Sequence, residues 1–126
     1  MRHLGIDYGT KRVGIAVSDI KGKIAFPKLV LDNDENLLQA IGDIVNQYEV
    51  SVIVVGRSLD NSSKPNAVQS AIDDLVTDLT LQFGLPVHME TEHYTTQAAV
   101  RIQGRNKQTD ASAASLILDS FLQRNN

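Results

Sequence analysis

The first third of the chain alternates apolar and polar positions with the period of a β-strand. Residues 4–8 switch between large apolar side chains and small or acidic ones, and a second apolar run covers 13–17 after a four-residue turn. An alternating segment and an apolar run joined by a short turn predict a β-hairpin. A third strand is predicted over 24–31, where Pro27 requires either an edge position or a bulge, because proline has no N–H to donate.

The apolar pattern then changes to the period of a helix. Apolar side chains over 37–48 recur at i, i+4, i+7 and i+11, and Asp34 is a candidate N-cap. The nearly continuous apolar run 51–55 ends at Gly56, which is typical of a central parallel strand covered on both faces. A second helix is predicted from Pro65 to Gly84, since proline suits a first helical turn and glycine a helix end.

The last part of the chain predicts a short strand over 86–90, a short helix over 96–103 and a final helix over 110–122. Thr109 or Asp110 is the expected cap of the final helix. The predicted order is β-β-β-α-β-α-β-α-α. An antiparallel start followed by βα units predicts an α/β fold, with three antiparallel and then parallel strands in one mixed five-stranded sheet flanked by helices.

Length and composition limit the class of protein. The chain has 126 residues, 42% of them hydrophobic, and no cysteine. We therefore expect a single domain over 1–126, without disulfides or a thiolate metal site. Neither a signal peptide nor an apolar run of membrane-spanning length is recognisable, so a cytoplasmic protein without a membrane partner is expected.

The net charge of −3 is unevenly distributed. Residues 1–30 carry six basic groups against two acidic ones, 31–92 carry two against eleven, and 93–126 carry four against two. If both ends of the chain meet in the fold, they form a basic surface on an acidic molecule. Solvated faces of no particular function are the alternative.

Several carboxylates are expected to converge at one edge of the sheet. Asp7 interrupts an apolar strand, where a carboxylate is costly unless it caps a turn, binds a cation or acts as a general base. Glu90 and Glu92 lie at the end of the last strand, and Asp110 begins the final helix. The carboxyl ends of parallel strands meet at one edge, where ligands gather. Asp110 is equally suited to simple capping.

Gathered carboxylates repel one another, and a divalent cation is the usual resolution. All-oxygen ligation suits Mg²⁺ or Mn²⁺. Two such ions about 4 Å apart activate a water and stabilise the leaving oxygen of a phosphodiester, which is nuclease chemistry. The candidate side chains for holding the nucleic-acid backbone are Lys11, Arg12, Arg57, Arg101, Arg105 and Lys107.

Four segments in order along the chain resemble one known family. They are the opening motif 5–19, the strand end 54–56 with Leu59, the segment 92–96, and the final helix 110–122. Together they resemble the RuvX/YqgF family of RNase H-like proteins, described as pre-16S ribosomal RNA nucleases and as Holliday-junction resolvases.

The resemblance implies an RNase H-like fold in which Asp7, Glu92 and Asp110 are the catalytic, metal-binding carboxylates. It selects Glu92 over Glu90, which the periodicity leaves open. It also implies a Mg²⁺- or Mn²⁺-dependent endonuclease that processes the 5′ end of pre-16S ribosomal RNA, with resolution of Holliday junctions as the alternative. The partner is then structured RNA or branched DNA, and the protein acts as a monomer or homodimer.

The chain departs from the family pattern in two places. Thr91 and His93 replace an acid and an arginine beside the glutamate, and the loop 57–63 is more polar and lacks the family's glycine. These changes keep a nucleic-acid-binding protein of weak activity as an alternative. A nucleotide-binding domain of the actin and sugar-kinase type is another, since the turn after Asp7 resembles that phosphate loop, but such enzymes close two domains around the nucleotide.

Overall fold

The computed structural model describes residues 1–57, 67–91 and 107–124, with side chains for 1–56, 70–90 and 111–124. The elements in these ranges are β1 (Arg2–Tyr8), β2 (Arg12–Ser18), β3 (Ala25–Asp32), α1 (Leu37–Tyr48), β4 (Val50–Arg57), α2 (Ala67–Phe83), β5 (Val87–Thr91) and α3 (Lys107–Arg124). The helix predicted over 96–103 lies outside the described residues. No described helix combines the length and apolar character needed to cross a bilayer.

One five-stranded sheet with the order β3-β2-β1-β4-β5 organises the fold. The strands β1, β2 and β3 pair antiparallel, whereas β4 pairs parallel with β1 and β5 pairs parallel with β4. The predicted mixed α/β architecture is therefore confirmed. The carboxyl ends of β1, β4 and β5 point toward the same edge of the sheet.

The two faces of the sheet are covered by different helices. Leu4, Ile6 and their neighbours on β2 and β4 pack with the apolar stripes of α1 and α2. On the other face, Ala16 and Val54 pack with α3 through side chains such as Leu118. Each helix follows its apolar period, and the central strands are consequently apolar on both faces.

The edge strand β3 carries the irregularity that Pro27 predicts. Ile15 pairs with Leu29 but Ala16 pairs with Pro27, so Lys28 is the extra residue of a bulge. Edge strands and bulges are the places in a sheet where proline is tolerated, because it has no N–H to donate to the ladder. Both predicted consequences of Pro27, an edge position and a bulge, are present.

Two predicted helix starts were wrong. The N-cap of α1 is Asn36 rather than Asp34. Asp34 instead accepts a hydrogen bond from the N–H of Asn36 at 2.9 Å, closing a turn just before the helix. The final helix begins at Lys107, so Asp110 lies in its first turn and is not its cap. Lysine and glutamine are good helix formers, which favours the earlier start.

Candidate active site

Asp7 lies in a row of the sheet that has glycine on both sides of it. Its backbone is opposite Gly14 of β2 and Gly56 of β4, and Gly56 is in turn opposite Glu90 of β5. Residues opposite one another project to the same face, here the face covered by α3. Because neither neighbour has a side chain, the half-buried carboxylate of Asp7 is not screened by the adjacent strands.

Helix α3 is brought against β1 by a close approach at Gly5. A Cβ added to Gly5 would lie 2.8 Å from the Cβ of Leu118 and 3.0 Å from the carbonyl oxygen of Ala114. Farther along α3, Phe121 contacts the ring of His3, with 6.0 Å between ring centroids. The helix therefore runs antiparallel to β1.

This direction carries the first turn of α3 toward Asp7. One helical turn back from Ala114 leads to residue 110, and two residues forward from Gly5 lead to Asp7. Both steps advance about 6 Å, because a helix rises about 1.5 Å and a strand about 3.3 Å per residue. The backbone of residue 110 is thus carried to the end of the sheet where Asp7 lies.

Glu92 lies outside the described residues. It is the next residue after Thr91, the last residue of β5, and the Cα of Thr91 is opposite Arg57 at the carboxyl end of β4. The sequence position of Glu92 therefore follows the strand end on the same edge as Asp7. The side chain of Asp110 also lies outside the described ones.

Glu90, the alternative to Glu92, is engaged by helix α3. Its side chain is 3% exposed, the hydroxyl of Ser120 donates a hydrogen bond to Oε2 at 2.9 Å, and Arg124 pairs with Oε1. A buried carboxylate held by a hydroxyl and a guanidinium stabilises the junction of β5 with α3. Sequence periodicity cannot reveal this role, because both partners lie 30 or more residues away.

The turn between β1 and β2 presents Lys11 and Arg12, and both side chains are exposed. Asn33 holds this turn twice: its Nδ2 donates to the carbonyl oxygen of Gly9 at 2.7 Å and its backbone N–H donates to that of Lys11 at 3.0 Å. A Cβ on Gly9 would approach the carbonyl oxygen of Arg12 to 2.5 Å, so the turn requires glycine there. The role of Asn33 was missed in the sequence.

The other predicted nucleic-acid contacts are only partly described. Arg57 ends β4 and Lys107 begins α3, but their side chains lie outside the described ones. Arg101 and Arg105 lie outside the described residues altogether. Of the six predicted basic contacts, Lys11 and Arg12 are therefore the ones whose exposure the structure gives.

The donor chemistry of the edge fits a hard divalent cation. Asp7 offers carboxylate oxygens, the ligands that Mg²⁺ and Mn²⁺ prefer. The described side chains contain no cluster of three carboxylate or imidazole ligands. The side chains of Glu92 and Asp110, the other two expected ligands, are outside that set, and the carboxylate of Asp7 is within it.

The histidines of the described region lie before the row of Asp7 on their strands, His3 four residues before Asp7 and His88 two residues before Glu90. His3 and His88 both contact Phe121, with 5.2 Å between the centroids of His88 and Phe121. Burial is the main cause that lowers the pKa of His3 below its ordinary value of 6.5. A desolvated imidazole of this kind is neutral near pH 7 and contributes to packing. His88 is exposed.

Comparison with known proteins identifies the family. A family model named RuvX and described as Holliday junction resolvase matches residues 1–124. The chain belongs to the RuvX family. It is 36% identical to a Streptococcus gordonii protein named "Putative pre-16S rRNA nuclease", over 99% of each chain. The family description and such names assign this RuvX chain to the hydrolases that act on phosphodiester bonds.

Solved structures agree on the fold of this RuvX protein. T. thermophilus RuvC in complex with a Holliday junction substrate matches with a TM-score of 0.67 at 13% identity, over 99% of this chain and 96% of the other. A ROK hexokinase from Thermus thermophilus matches with a TM-score of 0.51 at 21% identity, but this chain corresponds to only 38% of it. The fold is RNase H-like.

Proposed function

We propose that this RuvX protein is a Mg²⁺- or Mn²⁺-dependent endonuclease that processes the 5′ end of pre-16S ribosomal RNA in the cytoplasm. The observation that carries the proposal is Asp7, a half-buried carboxylate set between Gly14 and Gly56 at the carboxyl end of β1. The end of β5 and the first turn of α3 lead to the same edge, and with them the sequence positions of Glu92 and Asp110.

In this proposal the three carboxylates hold the metal. Asp7, Glu92 and Asp110 supply oxygen ligands, and the bound ions supply an activated water and neutralise charge on the leaving oxygen. The glycines beside Asp7 allow a phosphate to approach the sheet closely. Lys11 and Arg12, fixed on their turn by Asn33, bind neighbouring phosphates and so position the strand.

The substrate is proposed from the names of the relatives, which are those of RNA nucleases. The relatives match this chain over nearly its full length. RNA is distinguished from DNA by contacts to the 2′-hydroxyl and by A-form shape. The second candidate, cleavage of branched DNA, is favoured by the family description and by the fold shared with junction resolvases.

The test is cleavage of a labelled pre-16S ribosomal RNA fragment and of a four-way DNA junction, each with Mn²⁺ and with EDTA. We expect metal-dependent cleavage of the RNA by the wild type, and a loss of at least about a hundredfold for Asp7→Asn, which removes a ligand charge without changing side-chain size. Asp43→Asn, at an exposed position of α1 on the opposite face, is the matched control and should cleave normally.

Each of the other results selects an alternative. Preferential cleavage of the junction would replace the RNA proposal by the resolvase. Binding of RNA without cleavage in either metal would favour the binding protein of weak activity. Equal cleavage by wild type and Asp7→Asn would mean that the activity arises elsewhere, and the proposed site would be wrong.

A further inference from the structure

A second basic surface lies at the other end of β1 from Asp7. A cavity of about 580 Å³ opens there, and its basic lining residues are Arg2, Lys21 and Lys28. All three belong to the basic block 1–30, yet none was assigned to the candidate active site. Arg2 precedes Asp7 by five strand residues, or about 17 Å, and on a strand it projects to the opposite face of the sheet.

Two of the three cations of this cavity lie over one aromatic ring. The guanidinium carbon of Arg2 lies 5.8 Å and the Nζ of Lys28 lies 5.4 Å from the centroid of Tyr48. Lys28 is the extra residue of the β3 bulge and lies outside the regular pairing with β2. Lys21 lines the same cavity from the β2–β3 turn. Like charges gathered in this way attract an anion.

These three cations have no carboxylate partner among the described residues. Asp19 is the one acidic residue lining the cavity, and its Oδ1 accepts hydrogen bonds from the N–H groups of Lys23 at 2.7 Å and Ile24 at 3.0 Å. Those donors lower the pKa of Asp19. Its carboxylate is thus used to close the turn, and the cavity keeps an excess of positive charge.

Arg2 also has an unused donor. One of its terminal nitrogens donates to the carbonyl oxygen of Tyr48 at 3.1 Å, but its Nε is buried and has no acceptor among the described residues. A buried donor without an acceptor is unfavourable, so a small shift of the guanidinium toward an oxygen in the cavity would improve its hydrogen bonding.

Exposed apolar side chains lie beside the cations. Phe26 is 45% exposed and Ile20 is 69% exposed, and both line the cavity. A phosphate-binding group of cations next to an exposed aromatic face is the combination that binds single-stranded nucleic acid, in which the base stacks and the backbone is held electrostatically.

We propose that this cavity binds a nucleotide of a single-stranded flank of the substrate. The phosphate lies among Arg2, Lys21 and Lys28, and the base stacks on Phe26. The inference rests on the proposed function, since it takes the same nucleic acid as ligand. The edge strand β3 links the two sites, because Asp32 pairs with Arg12 at one end and Phe26, near the other end, lines the cavity.

Charge reversal at exposed lysines tests the proposal without disturbing the core. We expect Lys21→Glu/Lys28→Glu to bind a fluorescent single-stranded RNA about tenfold more weakly than the wild type, measured by anisotropy in EDTA so that no cleavage occurs. Lys23→Glu, on the same turn but not lining the cavity, is the matched control and should bind within about twofold of the wild type. The thermal midpoints of the three proteins check folding.

Crosslinking adds a readout of position. Ultraviolet crosslinking of a 4-thiouridine-labelled single-stranded RNA should modify the peptide containing Phe26, as identified by mass spectrometry. Inorganic phosphate and a free mononucleotide serve as competitors, and neither should displace the RNA. Displacement by the mononucleotide at micromolar concentration would overturn the assignment to a strand.

The failures of the two proposals are distinguishable. If the wild type binds no RNA, the partner in the proposed function is wrong and this inference is overturned with it. If the wild type binds RNA and the double reversal binds equally well, or if crosslinks fall only near Asp7, the second site is overturned while the nuclease proposal stands.

Discussion

Access to the carboxylate of Asp7 depends on the absence of side chains at the two residues opposite it. With Gly14 and Gly56 opposite it, no Cβ stands between its carboxylate and a phosphate approaching along the sheet. Gly9 has a related role in the following turn, where any Cβ would collide with the carbonyl oxygen of Arg12. Glycine is thus used around the candidate active site for close approach of other groups.

Asn33 is the residue that fixes the basic turn, and removal of its side chain tests this role. Asn33→Ala loses the hydrogen bond to the carbonyl oxygen of Gly9, which should lower the free energy of unfolding by about 0.5–1.5 kcal/mol. RNA affinity should fall by about threefold, because Lys11 and Arg12 are then held on a looser turn.

The control for this test is Asn46→Ala, an exposed position of α1 on the opposite layer. Urea denaturation and RNA anisotropy are measured on both variants. Equal stability and equal affinity for Asn33→Ala and the control would contradict the proposal that Asn33 fixes the turn.

Among the elements, α3 is the one whose placement matters most for the site. Gly5 allows its backbone to approach β1, and the contacts of Glu90 with Ser120 and Arg124 fasten its far end to β5. These two sets of contacts fix how closely α3 approaches the sheet and the direction in which it runs. The first turn, which contains residue 110, is positioned as a consequence.

The ion pair of Glu90 and Arg124 predicts how stability changes when the cation alone is removed and when both charges are removed. Arg124→Met leaves a buried carboxylate without its cation, and should cost about 1–2 kcal/mol of unfolding free energy, a value reduced by the solvent exposure of Arg124. Glu90→Gln/Arg124→Met should be no less stable than Arg124→Met alone, because the uncompensated charge is gone.

A double-mutant cycle by urea denaturation measures this coupling. Lys23→Met, which removes an exposed cation in the β2–β3 turn, is the control and should leave stability unchanged. Additive losses in the cycle would mean that the two side chains do not interact in solution.

The elements were predictable where the signal is local. The period of the apolar positions and the positions of Pro27 and Gly84 predicted the strands, the helices and the edge bulge. The start of α1 was misassigned because Asp34 and Asn36 are both capping residue types two positions apart. The local sequence pattern does not distinguish which of two such neighbouring residues caps the helix.

The features that the sequence could not predict depend on distant partners. Asn33 bonds to Gly9 across 24 residues, and Glu90 meets Arg124 across 34. The convergence of Arg2 with Lys28 likewise requires the sheet pairing and the bulge. The assignment of Asp7, Glu92 and Asp110 as metal ligands came from the family resemblance and stays a prediction.

Charge is segregated in part between the layers of the described structure. Asp73, Asp74 and Asp78 lie on α2 and Asp43 lies on α1, and these two helices cover the face of the sheet opposite Asp7. The net charge of −3 therefore does not describe the surface that nucleic acid would meet. Local potential, rather than the total, governs association.

This segregation predicts a clear salt dependence despite the negative net charge. RNA affinity should fall linearly on a log–log plot against salt concentration, and Lys11→Gln/Arg12→Gln should reduce the slope by about 1.5, since two phosphate contacts are lost. Affinities measured by anisotropy between low and physiological salt test this. An unchanged slope would mean that the turn makes no phosphate contact.

The bulged edge of β3 has a consequence for solubility. An outermost strand with free backbone groups and an exposed apolar side chain such as Phe26 is a template on which a second chain can add a strand and begin to aggregate. Pro27 withholds an N–H from any such partner, and the bulge at Lys28 breaks the register while presenting a charge. The same two residues therefore make the edge formed by β3 a poor template for strand addition.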